Sequence, residues 1–292
     1  MKTYLDCIPC FFKQALEAGR LAKASPKVQK RILDKLAMAI PKHRLKKSPP
    51  YMGRLAYKIA KKQTRCPDPY LAVKKKSNKL ALKLYRHLKK KVMTSPDPLL
   101  MAVELACRGN IIDLGVKNCL DVEKEVDDFL NGNFNIHKPH AKATFRYKEF
   151  KNALRAAKTI LYIADNAGEI VFDKVLIEEI INKWQDKDLV FAVRGKPIIN
   201  DALIEDAFFC GIDKIAKVIS SGCDAPGAIL EFCSKSFVKV LKAADLIISK
   251  GQGNFEALSS GHNHIFFLFR AKCPVVAKHL NCRPGDVILT PS

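Results

Sequence analysis

Acidic residues are scarce in the first third of this sequence. Residues 1–98 contain 26 Lys and Arg against 5 Asp and Glu, which places +21 of the chain's net charge of +22 in this segment. The remaining residues, 99–292, carry a net charge of only +1. With 48% hydrophobic residues the chain is not a disordered polybasic protein. A basic surface that attracts phosphorylated ligands and a plain solvated lysine surface both fit this pattern.

Several familiar motifs are also missing. No uncharged apolar run approaches the roughly 20 residues that cross a membrane, and no apolar signal-peptide core follows Met1, so we expect a soluble cytoplasmic protein with no membrane partner. The sequence has no Walker motif, no six-residue dinucleotide fingerprint and no RNA-recognition signature. Two alternative functions stay open, although the sequence contains no motif that is specific to either of them. One is nucleic-acid binding by the basic N-terminal helices, and the other is a nucleotide- or S-adenosylmethionine-dependent transferase.

The apolar pattern divides the chain into two parts, which we predict to be a basic helical domain at 1–150 and an α/β domain at 151–292. The first part has helical spacing, punctuated by prolines. Its predicted helices are Phe11–Ala22, Val28–Ile40, Met52–Gln63, Pro69–Lys91, Pro98–Arg108 and Asp121–Leu130.

The second part alternates short apolar runs with helical patterns. The predicted strands are Ile160–Ala164, Leu189–Val193, Ala216–Ile219, Leu246–Ser249, Ile265–Phe269 and Val287–Leu289. The predicted helices are Val171–Trp184, Ala202–Phe209, Gly227–Ala243 and Cys273–Leu280. Continuous apolar strands between helices indicate a mainly parallel sheet covered on both faces. The predicted fold is therefore α/β, a Rossmann-like doubly wound sheet with the helical N-terminal domain packed on it.

Polar residues follow the predicted strands at their carboxyl ends, where open α/β sheets bind ligands. Asp165 and Asn166 follow the first strand, and Asp201 lies in the loop after the second. These oxygen donors suit a hard divalent cation such as Mg²⁺ or Mn²⁺, and the absence of His argues against catalytic zinc. The simpler alternative for Asp165 is an N-cap of the following helix. Glu169 is a candidate catalytic base or a partner of the metal-bound water, and it equally suits the first turn of that helix.

A glycine-rich loop follows the fourth strand. Lys250, Gly251, Gly253 and Asn254 have the composition of a phosphate-binding turn, in which glycines expose backbone N–H groups and a lysine adds charge. A tight turn between strand and helix explains the same residues. Lys272, after the fifth strand, adds a second cation. A metal beside cationic phosphate ligands predicts phosphoryl transfer to water, with Asp165 as a catalytic metal ligand.

Cys7 and Cys10 form the one CxxC motif of a chain with ten cysteines. Two thiols at this spacing are half of a tetrahedral zinc site, and no second pair follows at finger spacing. The strand that precedes a thioredoxin-type redox pair is also missing. A structural role, a metal-binding role and a redox role all remain open for this pair.

At these residues the sequence resembles the damage-control phosphatase family, metal-dependent enzymes long classified as a domain of unknown function. The matching segments are Asp165-Asn166-Ala167-Gly168-Glu169, Asn200-Asp201, Ser249-Lys250-Gly251-Gln252-Gly253-Asn254 and the region of Lys272. Cys7-Ile8-Pro9-Cys10 resembles the N-terminal CxxC of the subfamily with archaeal members. The resemblance covers nearly the whole chain.

The resemblance implies that Asp165, Asn166 and Asp201 hold Mn²⁺ or Ni²⁺, with Mg²⁺ or Co²⁺ as further candidates. It implies that Asn166, the loop from Lys250 to Asn254, and Lys272 bind the substrate phosphate. The expected reaction is hydrolysis of phosphate esters of small damaged or surplus metabolites, such as oxidised nucleotides or sugar phosphates. The sugar-phosphate branch carries Arg-Thr-x-Lys where this chain has Phe269-Arg270-Ala271-Lys272, so that branch's substrate preference is not transferred.

Overall fold

The computed structural model describes residues 1–43, 45–109, 144–261 and 264–292. The predicted helix Asp121–Leu130 lies outside these residues. No helix in the described ranges is both long enough and apolar enough to cross a membrane.

The core of the molecule is a six-stranded sheet with the order β3-β2-β1-β4-β5-β6. Strands β1 to β5 pair in parallel, and β6 runs antiparallel to β5. The strands are β1 (Thr159–Ile163), β2 (Asp188–Val193), β3 (Lys217–Ser220), β4 (Leu246–Lys250), β5 (Ile265–Arg270) and β6 (Val287–Pro291). The predicted α/β fold with a mainly parallel sheet is confirmed. Since the chain leaves β1 first toward β2 and later returns to β4 on the other side, the strand ends open into a crevice between β1 and β4.

Eleven helices are present in the described residues, and they cover both faces of the sheet. They are α1 (Cys7–Leu21), α2 (Pro26–Ala39), α3 (Pro49–Thr64), α4 (Leu71–Met93), α5 (Pro98–Arg108), α6 (Tyr147–Ala156), α7 (Glu169–Lys183), α8 (Ile204–Phe209), α9 (Lys235–Ala243), α10 (Gln252–Leu258) and α11 (Pro274–His279). Two short 3₁₀ helices, Ile40–Lys42 and Leu230–Phe232, complete the set.

Alternate residues of β1 face two separate hydrophobic clusters. Ile160 and Tyr162 pack in a cluster with α4, α5, α6 and α7, whereas Leu161 and Ile163 pack with α9, α10 and α11. This alternation follows from the period of two in a strand, and the burial of both faces explains why β1 is apolar throughout.

A third cluster places the N-terminal helices over the strand ends. Helices α1, α2 and α3 pack around Phe11, Ile32 and Met52, and Ile198 of the loop after β2 joins this cluster. The predicted division at residue 150 stays a prediction. Helix α6 runs across that position, and α4 and α5 share their core with β1.

Two predicted helices are too long at their N-terminal ends. The helix predicted from Gly227 begins at Lys235, because the Ser234 side chain accepts a hydrogen bond from the Phe237 N–H and caps the helix there. The helix predicted from Ala202 begins at Ile204, because the Ala202 N–H donates to the Asp165 carbonyl in an extended pairing. In both cases the backbone just before the helix forms hydrogen bonds with residues at the carboxyl ends of the strands, Ser234 with Ser221 and Ala202 with Asp165.

Candidate metal and phosphate site

The backbone joins two of the predicted metal-binding segments directly. Asn166 and Asp201 form an isolated antiparallel β-bridge. The Ala167 N–H donates to the Asn200 carbonyl at 2.9 Å, and the Ala202 N–H donates to the Asp165 carbonyl at 2.8 Å. The structure therefore brings together Asp165, Asn166 and Asp201, as the positions at neighbouring strand ends predicted.

Asp165 is not a helix cap. Gly168 is the N-cap of α7, with φ 79°, and α7 has no side-chain cap. The simpler alternative for Asp165 is therefore wrong. The side chain is 7% exposed and lies within the cluster of polar residues at the strand ends.

The amide of Asn166 is oriented by two carboxylates. Its Nδ2 donates to Asp165 Oδ2 at 2.8 Å and to Glu169 Oε2 at 3.0 Å. Both amide protons are used by these bonds, which leaves Oδ1 as the atom that a cation or a donor can approach. The orientation suits Asn166 as an oxygen ligand.

Arg194 connects the residues around the site. Its Nε donates to Asp201 Oδ2 at 2.7 Å, its Nη2 donates to Asn254 Oδ1 at 3.0 Å, and Nη2 lies 3.7 Å from Asp165 Oδ1. The side chain is 1% exposed. Arg194 follows β2 directly and thereby spans from β1 to the loop after β4, so it fixes the two candidate metal-binding carboxylates relative to each other.

The buried oxygen Oδ1 of Asp201 has no hydrogen-bond donor among the described residues. An unpartnered carboxylate oxygen is costly to bury, and a divalent cation is the kind of group that satisfies it. Within the described ranges no three His, Cys, Asp or Glu side chains are grouped to hold a metal. The donor set that fits one here is two carboxylates and one amide oxygen, Asp165, Asn166 and Asp201, which suits a hard divalent ion rather than zinc.

The electrostatics of these carboxylates reflect their burial. Burial, together with the charge of Glu169, raises the pKa of Asp165. Burial also raises the pKa of Asp201 to about 8, with Arg194 acting in the opposite direction. A cation bound between these groups would favour their ionised forms.

Lys250 lies in a buried ion-pair network beside the candidate metal-binding residues. Its Nζ donates to Glu169 Oε1 at 2.7 Å and to Asp173 Oδ1 at 2.6 Å, and the Tyr162 hydroxyl donates to the same Asp173 oxygen at 2.7 Å. The Lys250 side chain is 0% exposed. The side chain predicted to contact a phosphate thus contacts two carboxylates in this structure.

The lysine acts against the effect of burial on the pKa of both acidic partners. Burial opposes ionisation of Glu169, but Lys250, together with Lys272 and the hydrogen bond from Asn166, lowers the pKa of the Glu169 carboxyl. Burial raises the pKa of Asp173 to about 7, against the effect of Lys250. Burial favours the neutral amine of Lys250, yet the two carboxylates raise its pKa above the ordinary value. Glu169 is therefore an ionised hydrogen-bond acceptor for Asn166.

Two glycines of the loop after β4 lie too close to neighbouring parts of the chain to carry a side chain. Gly251 has φ 82°, and a Cβ at this position would overlap the Asp165 carboxylate. Gly253 has a similar constraint, since a Cβ there would overlap the Pro226 carbonyl oxygen. Glycine is therefore required where the loop approaches the end of β1, at Gly251, and where it approaches the loop after β3, at Gly253.

Asn254 ties the ends of several strands together. Its Nδ2 donates to the carbonyls of Ala164 at 3.1 Å and Lys250 at 2.7 Å, and its Oδ1 accepts from Arg194 and from the Ala228 N–H. The side chain predicted to bind phosphate is fully hydrogen-bonded within the protein. Because it accepts a hydrogen bond from Arg194, Asn254 supports the geometry of the site.

Replacing Gly251 with alanine is expected to cost about 1–3 kcal/mol of stability and to lower the predicted hydrolysis of an aryl phosphate by about 10²-fold or more, because the added Cβ displaces Asp165 and strains the backbone. Thermal denaturation and hydrolysis of an aryl phosphate measure the two effects. Gly261→Ala is the matched control, since Gly261 has φ 102° and no atom within 4 Å of the added Cβ. Equal activity losses in both variants would show that strain alone, rather than contact with Asp165, is responsible.

Lys272 follows β5 and has an exposed side chain at the rim of the site. Its positive charge lowers the pKa values of Asp165, Glu169 and Asp201, in each case against the larger effect of burial, so it lies within electrostatic reach of all three carboxylates. The Lys272 N–H donates to Gln252 Oε1 at 2.9 Å, which joins this residue to the glycine-rich loop. Lys272 therefore presents an exposed cation near the three carboxylates of the candidate site.

Cys7 and Cys10 are free thiols in the first turn of α1. Burial raises the pKa of both thiols, and the charges of Cys273 and Glu256 add to this effect. Cys273 Sγ in turn accepts a hydrogen bond from Gln252 Nε2 at 3.5 Å. The CxxC motif thus lies near the glycine-rich loop, and the three roles considered for it stay predictions.

Sequence reasoning assigned no role to three residues of the site. Arg194 directly follows a strand, a position that could have identified it. Asp173 lies four residues after Glu169 in α7, so it shares a helix face with Glu169 within an otherwise apolar segment. Asn78 accepts a hydrogen bond from the Gly168 N–H at 2.6 Å and donates to Asp206 at 2.7 Å, and nothing in the lysine-rich sequence of α4 distinguishes it.

Comparison with known proteins gives concordant matches along the chain. The family described as the damage-control phosphatase ARMT1-like domain matches residues 3–288. A damage-control phosphatase of Pyrococcus horikoshii is 34% identical, with 99% of this chain and 97% of that protein covered. A damage-control phosphatase of Archaeoglobus fulgidus is 39% identical, with coverage of 76% and 75%. An uncharacterized protein of Methanocaldococcus jannaschii is 38% identical, with coverage of 97% and 93%.

A solved structure shares the fold over its full length. The crystal structure of a DUF89 family protein from Pyrococcus horikoshii at 2.04 Å resolution matches with a TM-score of 0.88 and 33% identity, and covers 100% of this chain and 99% of that chain. The shared fold includes the sheet and the helices that cover it.

Proposed function

The chain belongs to the damage-control phosphatase family and is a phosphatase, and from this premise we propose that it hydrolyses phosphate monoesters of small metabolites with a divalent cation held by Asp165, Asn166 and Asp201. The family acts in metabolite repair and is generally metal-dependent. The proposed substrates are damaged or surplus phosphorylated metabolites, with oxidised nucleotides and sugar phosphates as the first candidates.

The observation that carries the proposal is the unpartnered Oδ1 of Asp201, buried beside Asp165 and Asn166, whose Nδ2 is held by two carboxylates. The side-chain oxygens of these three residues are the atoms of the site that a cation would satisfy. We propose Mn²⁺ or Ni²⁺ as the ion, with Mg²⁺ or Co²⁺ as further candidates, since all four accept oxygen ligands. When bound, such an ion neutralises phosphate charge and lowers the pKa of a bound water.

The residues around this set position and charge the substrate. Glu169, kept ionised by Lys250, holds the Asn166 amide so that Oδ1 faces the site. Because the pKa of Glu169 is lowered, its carboxylate is a weak base. Glu169 is therefore better suited to accept the hydrogen bond that orients Asn166 than to take a proton from water. Lys272 is the side chain free to contact the phosphate from the rim, while Lys250 acts from behind through Glu169.

The alternative functions find no separate support. The basic N-terminal helices pack on the sheet through α4 and α5, and none of the proteins compared above is named for nucleic-acid binding or for group transfer to an acceptor. The net charge of the first 98 residues fits the attraction of phosphorylated substrates toward the strand ends.

Removal of divalent cations tests the proposal most directly. Hydrolysis of p-nitrophenyl phosphate is expected to fall to background after dialysis against a chelator and to return with Mn²⁺ or Ni²⁺ more fully than with Zn²⁺, because the ligands are oxygens. A panel of phosphorylated metabolites, including oxidised nucleotides and sugar phosphates, then identifies the substrate class. Full activity in the chelated protein would exclude the proposed mechanism.

A further inference from the structure

A cavity of about 110 Å³ lies beside the candidate metal site and has no role in the proposed reaction. Helix α3 contributes Tyr57, Lys58 and Lys61 to its lining, and the loops after β2 and β3 contribute Lys196, Pro197 and Asp224. The loop that carries Lys196 continues to Asp201, so the cavity and the metal-binding residues share one loop. Since a water molecule occupies ~30 Å³, the space accommodates a group of the size of a phosphate.

The positive charge around this cavity is only partly compensated. Arg54 and Lys58 both pair with Asp224. Lys61 and Lys196, by contrast, have no carboxylate within ion-pair distance in the part of the chain that the structure describes. Two cations therefore share one cavity without a counter-charge of their own.

Burial and charge at Lys61 agree with this geometry. Burial lowers the pKa of the Lys61 amine, and the charge of Lys196 acts in the same direction, whereas Asp68 and Asp224 oppose both. The two amines are thus near enough to repel each other. A bound anion would relieve this repulsion.

One of the lining residues, Tyr57, carries a buried hydroxyl. Tyr57 is 4% exposed, and its hydroxyl has no hydrogen-bond partner among the described residues. Burial raises the pKa of this phenol, with contributions from the carboxylates of Asp68 and Asp201, so the hydroxyl keeps its proton and remains a donor. The influence of Asp201 also shows that the Tyr57 hydroxyl lies within electrostatic reach of the candidate metal site.

We propose that this cavity, which we call the Tyr57–Lys196 pocket, binds a second phosphate group of the substrate. The inference rests on the proposed phosphatase function and narrows its substrate class to metabolites that carry two phosphates. Lys61 and Lys196 would neutralise the second phosphate, and the Tyr57 hydroxyl would donate a hydrogen bond to it. A phosphate group would supply the acceptor that the Tyr57 hydroxyl lacks and the negative charge that Lys61 and Lys196 lack.

The test compares glucose 1,6-bisphosphate with glucose 6-phosphate, two sugars that differ by one phosphate. The double variant Lys61→Ala/Lys196→Ala is expected to lower kcat/KM for the bisphosphate by about 10–100-fold, as for loss of charge-assisted hydrogen bonds, and to leave the monophosphate within about 2-fold. Tyr57→Phe is expected to give a smaller loss of the same selectivity. Lys62→Ala is the matched control, since Lys62 is an exposed lysine of α3 that does not line the pocket.

Binding without turnover separates this inference from the proposed function. Calorimetric titration of the metal-free protein with each sugar is expected to show preference for the bisphosphate, reduced by about 10-fold or more in the double variant. If the metal-supplemented wild-type protein hydrolyses neither sugar, nor p-nitrophenyl phosphate, nor any metabolite of the panel, but the protein keeps this lysine-dependent preference, the pocket stands and the proposed function fails. If the wild-type protein shows no preference, or if the double variant keeps it, the pocket is not a phosphate site, whatever the activity.

Discussion

Replacing Asp165 with asparagine is expected to lower kcat/KM for p-nitrophenyl phosphate by at least about 10³-fold. The substitution keeps the shape of the side chain and removes one of two carboxylates from the candidate metal site. The contribution of a catalytic metal is several kcal/mol of transition-state stabilisation, and each 1.36 kcal/mol is tenfold in rate. Calorimetric titration with Mn²⁺ is expected to show a parallel loss of affinity.

Asp245→Asn is the matched control for this substitution. Asp245 precedes β4, and its Oδ2 accepts hydrogen bonds from the N–H groups of Lys158 and Thr159 at the amino end of β1. It lies at the opposite edge of the sheet from the metal-binding residues, so its replacement is expected to leave activity unchanged. If Asp165→Asn keeps wild-type activity and metal affinity, the assignment of the metal site is wrong.

Replacing Lys250 with methionine is expected to lower the free energy of unfolding by about 3–5 kcal/mol, the cost of leaving a buried charge without its partner. Methionine has a similar length and lacks the amine, so Glu169 and Asp173 lose their shared cation. The loss is expected to diminish at low pH, because protonation of both carboxyls removes the uncompensated charge. Urea denaturation at neutral and acidic pH measures the difference.

Lys272→Ala is the comparison for this experiment. The exposed Lys272 side chain contributes little to folding, so its removal is expected to change stability by about 0.5 kcal/mol or less while lowering activity. A Lys250→Met protein of wild-type stability would contradict the buried network. A Lys272→Ala protein of wild-type activity would assign phosphate binding to other residues.

The sequence was sufficient to predict the sheet and the proximity of the three candidate metal-binding residues. The strands β1, β4 and β5 are buried on both faces, and their apolar runs are therefore visible without homologous sequences. Because parallel strands place their carboxyl ends at one edge, Asp165, Asn166 and Asp201 could be grouped although Asp201 lies in another loop. The direction of β6 could not be predicted, since an edge strand of either direction has the same composition.

The orientation of the polar side chains at the site could not be predicted from the sequence. A lysine in a glycine-rich loop predicts a phosphate ligand, but the side chain of Lys250 turns toward α7, where Asp173 lies one turn after Glu169. Asn78 comes from a helix 90 residues earlier in the chain, and only tertiary packing brings it to Gly168. The contacts that hold the site depend on which helix covers which strand end, and apolar periodicity carries no information about that choice.

The hydrogen bonds of Asn254 also determine when the site can form during synthesis. This side chain bonds Ala164, 90 residues before it, and Arg194, 60 residues before it. A growing chain that ends before Asn254 lacks the amide that orients Arg194, and Arg194 in turn fixes Asp201. The three candidate cation ligands emerge from the ribosome early, but the hydrogen bond from Arg194 to Asn254, which helps to hold Arg194 against Asp201, forms only after β4 has joined β1. Metal loading is therefore expected to follow folding of the sheet, which protects the nascent chain from capturing a cation prematurely.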